Sequence, residues 1–145
     1  MNTNNTLLDF SKPILSDGAM GTMLNQRNIS YEKCFDSLNL TKPGIVGEIH
    51  RAYIDAGAQI IQTNTFGANR FKLARYNLEN KVEEINTAGV ELARRTIMAS
   101  FQNVLLAGDI GPLGINLAPF GRTSPEEAHN AFKPVSYTHL RAHET

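Results

Sequence analysis

The sequence predicts an α/β fold built from parallel β/α units. Three short apolar runs, at residues 14–15, 58–65 and 103–109, end in turn-forming residues and are typical of strands. Segments with apolar residues at helical spacing separate them, and such alternation indicates parallel strands joined by right-handed crossovers. The runs are apolar almost to their last residues, as strands covered on both faces are.

The helical segments follow from spacing and from end signals. A proline suits the first turn of a helix, and a glycine stops one, as Pro43 and Gly57 do here. Ser124, followed by a proline and two acids, predicts the start of a last helix, which we expect to break at Pro134. The predicted segments are a short helix after Gly18, a loop at 27–41, a helix at 43–56, one or two turns at 69–76, and a helix at 82–99.

Composition restricts the class of protein. The 145 residues are 41% hydrophobic and 19% charged with a formal net charge of zero, which is typical of one soluble globular domain. This balance argues against a nucleic-acid or membrane partner. The single cysteine and the absence of a signal-peptide pattern in the first twelve residues predict a cytoplasmic protein. We expect residues 1–11 to be disordered.

Polar residues cluster where each predicted strand ends. In parallel α/β folds that end of the sheet carries the functional site. An aspartate can accept an ammonium group and free N–H groups at a helix start can hold an anion, which together suit a free amino acid. The candidate binding residues are Asp17, Gly18, Ala19, Met20, Thr63, Asn64, Thr65, Phe66 and Asp109.

Each of these motifs also has a purely structural interpretation. Asp17 can simply cap the following helix, and the side chains at 63–65 can bond to their own turn. The glycine-rich run at 108–114 matches no phosphate-loop fingerprint and favours a loop with unusual backbone angles over phosphate binding. Cys34 has no partner cysteine and His50 has no second histidine four residues away, so neither predicts a metal site.

Three motifs together resemble the homocysteine S-methyltransferase family. They are ILSDGAMGTML, KPGIVGEIHRAYIDAGAQIIQTNTFGANRFKL and LLAGDIGPLG, in this order. The sequence is most similar to the bacterial proteins that fuse this domain to methylenetetrahydrofolate reductase, and to the N-terminal module of cobalamin-dependent methionine synthase. The resemblance implies that residues 12–134 form the N-terminal portion, about three β/α units, of a truncated (β/α)8 barrel.

The resemblance also implies the chemistry. Members of the family transfer a methyl group to the zinc-bound thiolate of homocysteine to give methionine, and the candidate residues above would bind homocysteine. The zinc cysteines of the family lie in Asn-Cys and Gly-Gly-Cys-Cys segments that this sequence lacks, so we assign no metal ligand and no catalytic residue. The methyl donor, of the S-methyl, folate or cobalamin class, stays unassigned. We expect the chain alone to be inactive; the alternatives are a non-catalytic amino-acid-binding protein or a non-functional misfolded chain.

The ending VSYTHLRAHET, residues 135–145, matches the translation of a transposase sequencing adapter codon by codon. We therefore expect this segment to be an assembly artefact. On that expectation, His139 and His143 belong to no site.

Overall fold

The computed structural model describes residue 9 and residues 11–144, with side chains as far as residue 141. Most of the expected disordered N-terminus lies outside the described residues. None of the described helices is long and apolar enough to cross a membrane. The elements are α1 (Met20–Asn25), α2 (Leu38–Thr41), α3 (Pro43–Asp55), β1 (Ile60–Gln62), α4 (Arg70–Ala74), a 3₁₀ turn (Glu79–Lys81), α5 (Val82–Ser100), β2 (Leu105–Ala107) and α6 (Pro125–Glu144).

The sheet is parallel, as the sequence predicts. β1 pairs with β2 in the register Ile60 to Leu105, and Ser16 forms a parallel bridge to Ile60 on the other side of β1. The first predicted strand is therefore present only as that bridge, and the described residues form two strands rather than three. β1 thus lies between the segment that carries Asp17 and the strand that precedes Asp109.

Helices α3 and α5 pack together and cover β1. Val46 and Ile49 of α3 meet Leu92 of α5 in one apolar cluster, while Ile54 and Ile61 meet in another. The helical spacing predicted for both segments is confirmed, because burying one stripe of each helix against the sheet stabilises the pair. The predicted loop at 27–41 is wrong at its end, where buried Leu38 and Asn39 open α2.

The last helix does not break at Pro134, contrary to the sequence-based expectation. Helix α6 runs through Pro134 to Glu144. A proline inside a helix costs about 3 kcal/mol because it removes one N–H donor and crowds the preceding turn. Packing offsets that cost: Val135 is 2% exposed and lies in a cluster with Leu73 and Ile85.

Candidate functional site

One cavity of about 610 Å³ lies at the carboxyl ends of the parallel segments. Its volume is within the range of roughly 300–1,000 Å³ that is usual for small-molecule sites. Thr65 alone among the nine candidate residues does not line it, since its side chain is 1% exposed and lies behind the wall. The candidates that line the cavity are Asp17, Gly18, Ala19, Met20, Thr63, Asn64, Phe66 and Asp109.

The carboxylate of Asp17 is held against the end of β1. Its Oδ2 accepts from the backbone N–H of Gln62 at 2.9 Å, and its Oδ1 accepts from the side-chain amide of Gln62 at 3.2 Å. The backbone N–H of Asp17 donates to Ile60 O at 2.9 Å. Asp17 therefore bonds to the neighbouring strand, and it makes no side-chain cap bond to α1, which has Ala19 at its N-cap position.

The hydroxyls of Thr63 and Thr65 connect the ends of β1 and β2. The two oxygens are 2.7 Å apart; the N–H of Asp109 donates to Thr63 Oγ1 at 2.9 Å, and Thr65 Oγ1 donates to Asp109 O at 2.8 Å. These bonds fix the backbone of Asp109 at the cavity wall. The pair of threonines is thus part of the support of the site.

His139 lies against the same two hydroxyls but does not line the cavity. Its Nε2 is 3.0 Å from Thr63 Oγ1 and 3.2 Å from Thr65 Oγ1, and its Nδ1 is 2.8 Å from Val135 O. The ring is 8% exposed. The continuation of α6 beyond Pro134 places it there, which local sequence rules did not predict. The side chain of His143 lies outside the described ones.

Asn64 fixes another part of the cavity wall. Its side-chain amide donates to Phe35 O at 2.9 Å and to Asn39 Oδ1 at 3.0 Å, while Asn39 Nδ2 returns a bond to Asn64 O at 2.8 Å. These contacts bind the loop before α2 to the end of β1. They bring Asp36 into the cavity, where its Oδ1 accepts from the N–H of Gly67 at 2.8 Å.

Asp36 and Lys72 are lining residues that the sequence analysis missed. Asn69 caps α4 through bonds from the N–H groups of Phe71 and Lys72 to its Oδ1, both at 3.1 Å, and this sets the direction in which Lys72 leaves the helix. The only local signal was the Asn69 cap after the strand. Asp36 lay in a predicted loop with no chemical motif around it.

Burial and mutual repulsion perturb the acids of the cavity. Burial raises the pKa of Asp36, although its bond from Gly67 and the charge of Lys72 act in the opposite direction. Burial also raises the pKa of Asp109, and the negative charge of Asp17 raises it further, against His139 and Lys72. The charges of Asp17 and Lys72, which line the same cavity, therefore act on Asp109 in opposite directions. A cation bound between Asp17 and Asp109 would relieve their repulsion.

The described residues do not fit a zinc ion. Among the described residues, no three His, Cys, Asp or Glu side chains come together as possible metal ligands. Cys34 is buried, its Sγ is 4.0 Å from Asp36 Oδ2, and burial raises the pKa of its thiol. A zinc site needs three or four ligands, and the described residues bring no such group together.

The fold and the cavity define a class of protein: an α/β protein with a polar pocket at the carboxyl ends of parallel strands. The homocysteine S-methyltransferase family pattern matches residues 14–143, and the chain belongs to that family. Two proteins named methionine synthase, from Mycobacterium leprae (strain TN) and Mycobacterium tuberculosis (strain ATCC 25618 / H37Rv), are 32% and 31% identical to it over 128 residues. These alignments cover 82% of this chain but only 10% and 11% of the relatives.

Solved structures agree with the family assignment. The metallated form of the homocysteine methyltransferase MmuM from Escherichia coli matches with a TM-score of 0.76 at 27% sequence identity, covering 90% of this chain and 51% of that one. Its oxidized form matches with a TM-score of 0.75 at 26% identity. The chain therefore spans about half the length of the solved relative and about a tenth of the curated ones.

Proposed function

We propose that the chain carries the homocysteine-binding part of a homocysteine S-methyltransferase, a (β/α)8-barrel enzyme that transfers a methyl group to homocysteine to give methionine. The observation that supports this most strongly is the convergence of eight candidate residues, from the ends of three parallel segments, on one cavity of about 610 Å³. Apolar packing alone does not require three carboxylates, Asp17, Asp36 and Asp109, around one space.

Asp17 would bind the ammonium group of homocysteine. Its two bonds from Gln62 fix the carboxylate, so little side-chain freedom is lost when a ligand binds. Asp109 lies close enough for the two charges to interact, and an ammonium between them would favour the ionised form of Asp109. Phe66, 55% exposed at the cavity, would cover the apolar part of the ligand and displace water from it.

Members of the family use zinc to activate the thiol of homocysteine, and that zinc would have to be held by residues other than those described here. For the 145-residue chain alone we therefore expect amino-acid binding without turnover and without stoichiometric zinc. A non-catalytic amino-acid-binding protein is the second candidate, because the described residues include no group of metal ligands. Metal analysis of the purified chain, with a methionine assay, tests this expectation: one zinc per chain with methionine formed would refute it and would also exclude the non-catalytic candidate.

The binding role is tested by Asp17→Asn, which keeps the shape of the side chain and removes its charge. We expect calorimetry to show L-homocysteine bound about 10- to 100-fold more weakly, because a charge-assisted hydrogen bond is lost. The matched control is Asp55→Asn on α3, since Asp55 pairs with Arg51 on the surface and does not line the cavity. Equal affinity in the wild type and in Asp17→Asn would refute the role of Asp17.

A further inference from the structure

Lys72 is a cation of the cavity with no role in the family resemblance. It is half-buried on α4, lines the cavity, and places its Nζ 4.4 Å from the centroid of the Phe66 ring. The face of an aromatic ring attracts a cation without neutralising it. The ring thus fixes the ammonium at the cavity wall while its charge stays available to a ligand.

The glycine-rich loop after β2 provides the space for this pair. A Cβ on Gly114, which has φ of +84°, would lie 2.9 Å from Cγ of Lys72 and 3.2 Å from its Cε. At Gly111 a Cβ would lie 2.2 Å from the backbone oxygen of Phe66 and 2.7 Å from its ring. The loop needs glycine at 111 because the added Cβ would overlap backbone, and at 114 because its positive φ is strained for any other residue. The loop therefore supports the Phe66–Lys72 pair.

The charge of Lys72 is not used by an ion pair of the described residues. Their three ion pairs join Lys12 to Asp9, Arg51 to Asp55, and Lys81 to Glu84. The lysine acts on the acids of the cavity only at longer range: its charge lowers the pKa of Asp36 and of Asp109, against the effect of burial. An anion that enters the cavity would meet a full positive charge that no carboxylate within 4 Å already neutralises.

We propose that the Lys72 ammonium binds the α-carboxylate of the amino-acid substrate, in the same cavity as the ammonium site proposed at Asp17 and Asp109. This assignment rests on the proposed function. Lys33 and Arg75 also line the cavity, but Lys72 is the lining lysine whose charge acts on Asp36 and Asp109. A cation near the acids of one cavity allows both charges of a zwitterion to be paired at once. The N-terminus of the six-residue helix α1 carries only a partial positive charge, so a lysine would bind the carboxylate with a full charge that the helix backbone cannot provide.

The test compares two thiols that differ only in the carboxylate: L-homocysteine and 3-aminopropane-1-thiol. Calorimetry is performed on the full 145-residue chain as wild type, Lys72→Met and Lys72→Arg. Lys72→Met keeps much of the side-chain length and removes the charge. We expect it to weaken L-homocysteine binding about 10- to 100-fold and to leave 3-aminopropane-1-thiol binding within about twofold. Lys72→Arg should recover most of the loss, because guanidinium also stacks on rings and pairs with carboxylates.

Controls separate this inference from the proposed function. Lys42→Met removes an exposed lysine that does not line the cavity, and its affinities should equal those of the wild type. If the wild type binds neither thiol, the proposed function fails and this inference with it. If the wild type binds L-homocysteine and Lys72→Met binds it equally well, only the role of Lys72 is refuted. A loss that is the same for both thiols would also refute it, because it would show that Lys72 acts through the fold.

Discussion

His50 makes the stability of this protein depend on pH in a direction that can be measured. Its ring is 0% exposed on α3, and neither ring nitrogen has a hydrogen-bond partner. Burial lowers its pKa from 6.5 to about 4, although the charge of Asp17 opposes the shift. The folded chain therefore keeps His50 neutral at pH values where the unfolded chain has already bound a proton there.

The sign and the size of the effect follow from proton linkage. Between pH 6.5 and about 4 the unfolded state binds one more proton at His50 than the folded state does, so stability falls as the pH falls through this window. One pKa unit corresponds to about 1.4 kcal/mol, so the complete loss by pH 4 is about 3 kcal/mol. That is a large part of the roughly 5–15 kcal/mol that stabilises a typical domain.

His50→Leu removes the proton-binding group and puts an apolar side chain at this fully buried position. We expect the variant to be as stable as the wild type at pH 7, or more stable, because two unpaired ring nitrogens disappear. At pH 4 it should exceed the wild type by about 3 kcal/mol more than it does at pH 7. The difference between the two proteins isolates His50, because the titrations of Asp36 and Asp109 occur in both.

The assay is guanidinium unfolding followed by circular dichroism at half-unit steps from pH 4 to 7. His50→Phe, a second ring that cannot be protonated, serves as an independent variant in case the leucine packs poorly. A free-energy difference between variant and wild type that stays constant from pH 7 to pH 4, for both variants, would refute the argument. It would mean that His50 is solvated or paired in the folded state.

Two further predictions concern packing. Gly111→Ala should lower the free energy of unfolding by roughly 1–3 kcal/mol and weaken L-homocysteine binding, because the added Cβ would lie 2.2 Å from the backbone oxygen of Phe66. The control is Gly44→Ala, where nothing lies within 4 Å of the added Cβ, and it should cause no measurable loss of stability in thermal unfolding. Val135→Ala should lower the free energy of unfolding by roughly 1–3 kcal/mol, because this side chain is 2% exposed in α6, whereas Leu140→Ala, at 62% exposed, should leave it unchanged. Equal stabilities within either pair would contradict the packing described for that segment.

Local patterns in the sequence were sufficient to predict the two long helices α3 and α5 and the strands β1 and β2. The apolar spacing of 43–56 and 82–99 predicted α3 and α5, and the runs at 58–65 and 103–109 predicted β1 and β2 in a parallel sheet. They were sufficient because burial of one helix stripe or one apolar strand leaves a periodic signal in a short window. The predicted lengths were less accurate, since a strand extends only as far as a neighbour pairs with it.

Long-range contacts decided what local patterns could not. Pro134 predicted a helix end, yet packing of Val135 and the bonds of His139 to Thr63 and Thr65 carry α6 past it. The isolated histidine at position 50 carried no local signal of its burial. Helix propensity depends only on a residue and its neighbours along the chain, and tertiary packing can outweigh it by several kcal/mol.

The candidate site also has one part that the sequence predicted and another part that only the tertiary structure showed. The sequence by itself predicted nine binding candidates at the ends of three apolar runs, because parallel strands bring their carboxyl ends to one edge of the sheet. In the structure, eight of the nine line one cavity. Only the tertiary structure showed that Asp36 and Lys72 join them, and that the glycines at 111 and 114 make room for Phe66 and for the lysine. Gly111 lies 45 residues from Phe66 and Gly114 lies 42 residues from Lys72, so only folding brings each glycine to the side chain beside it.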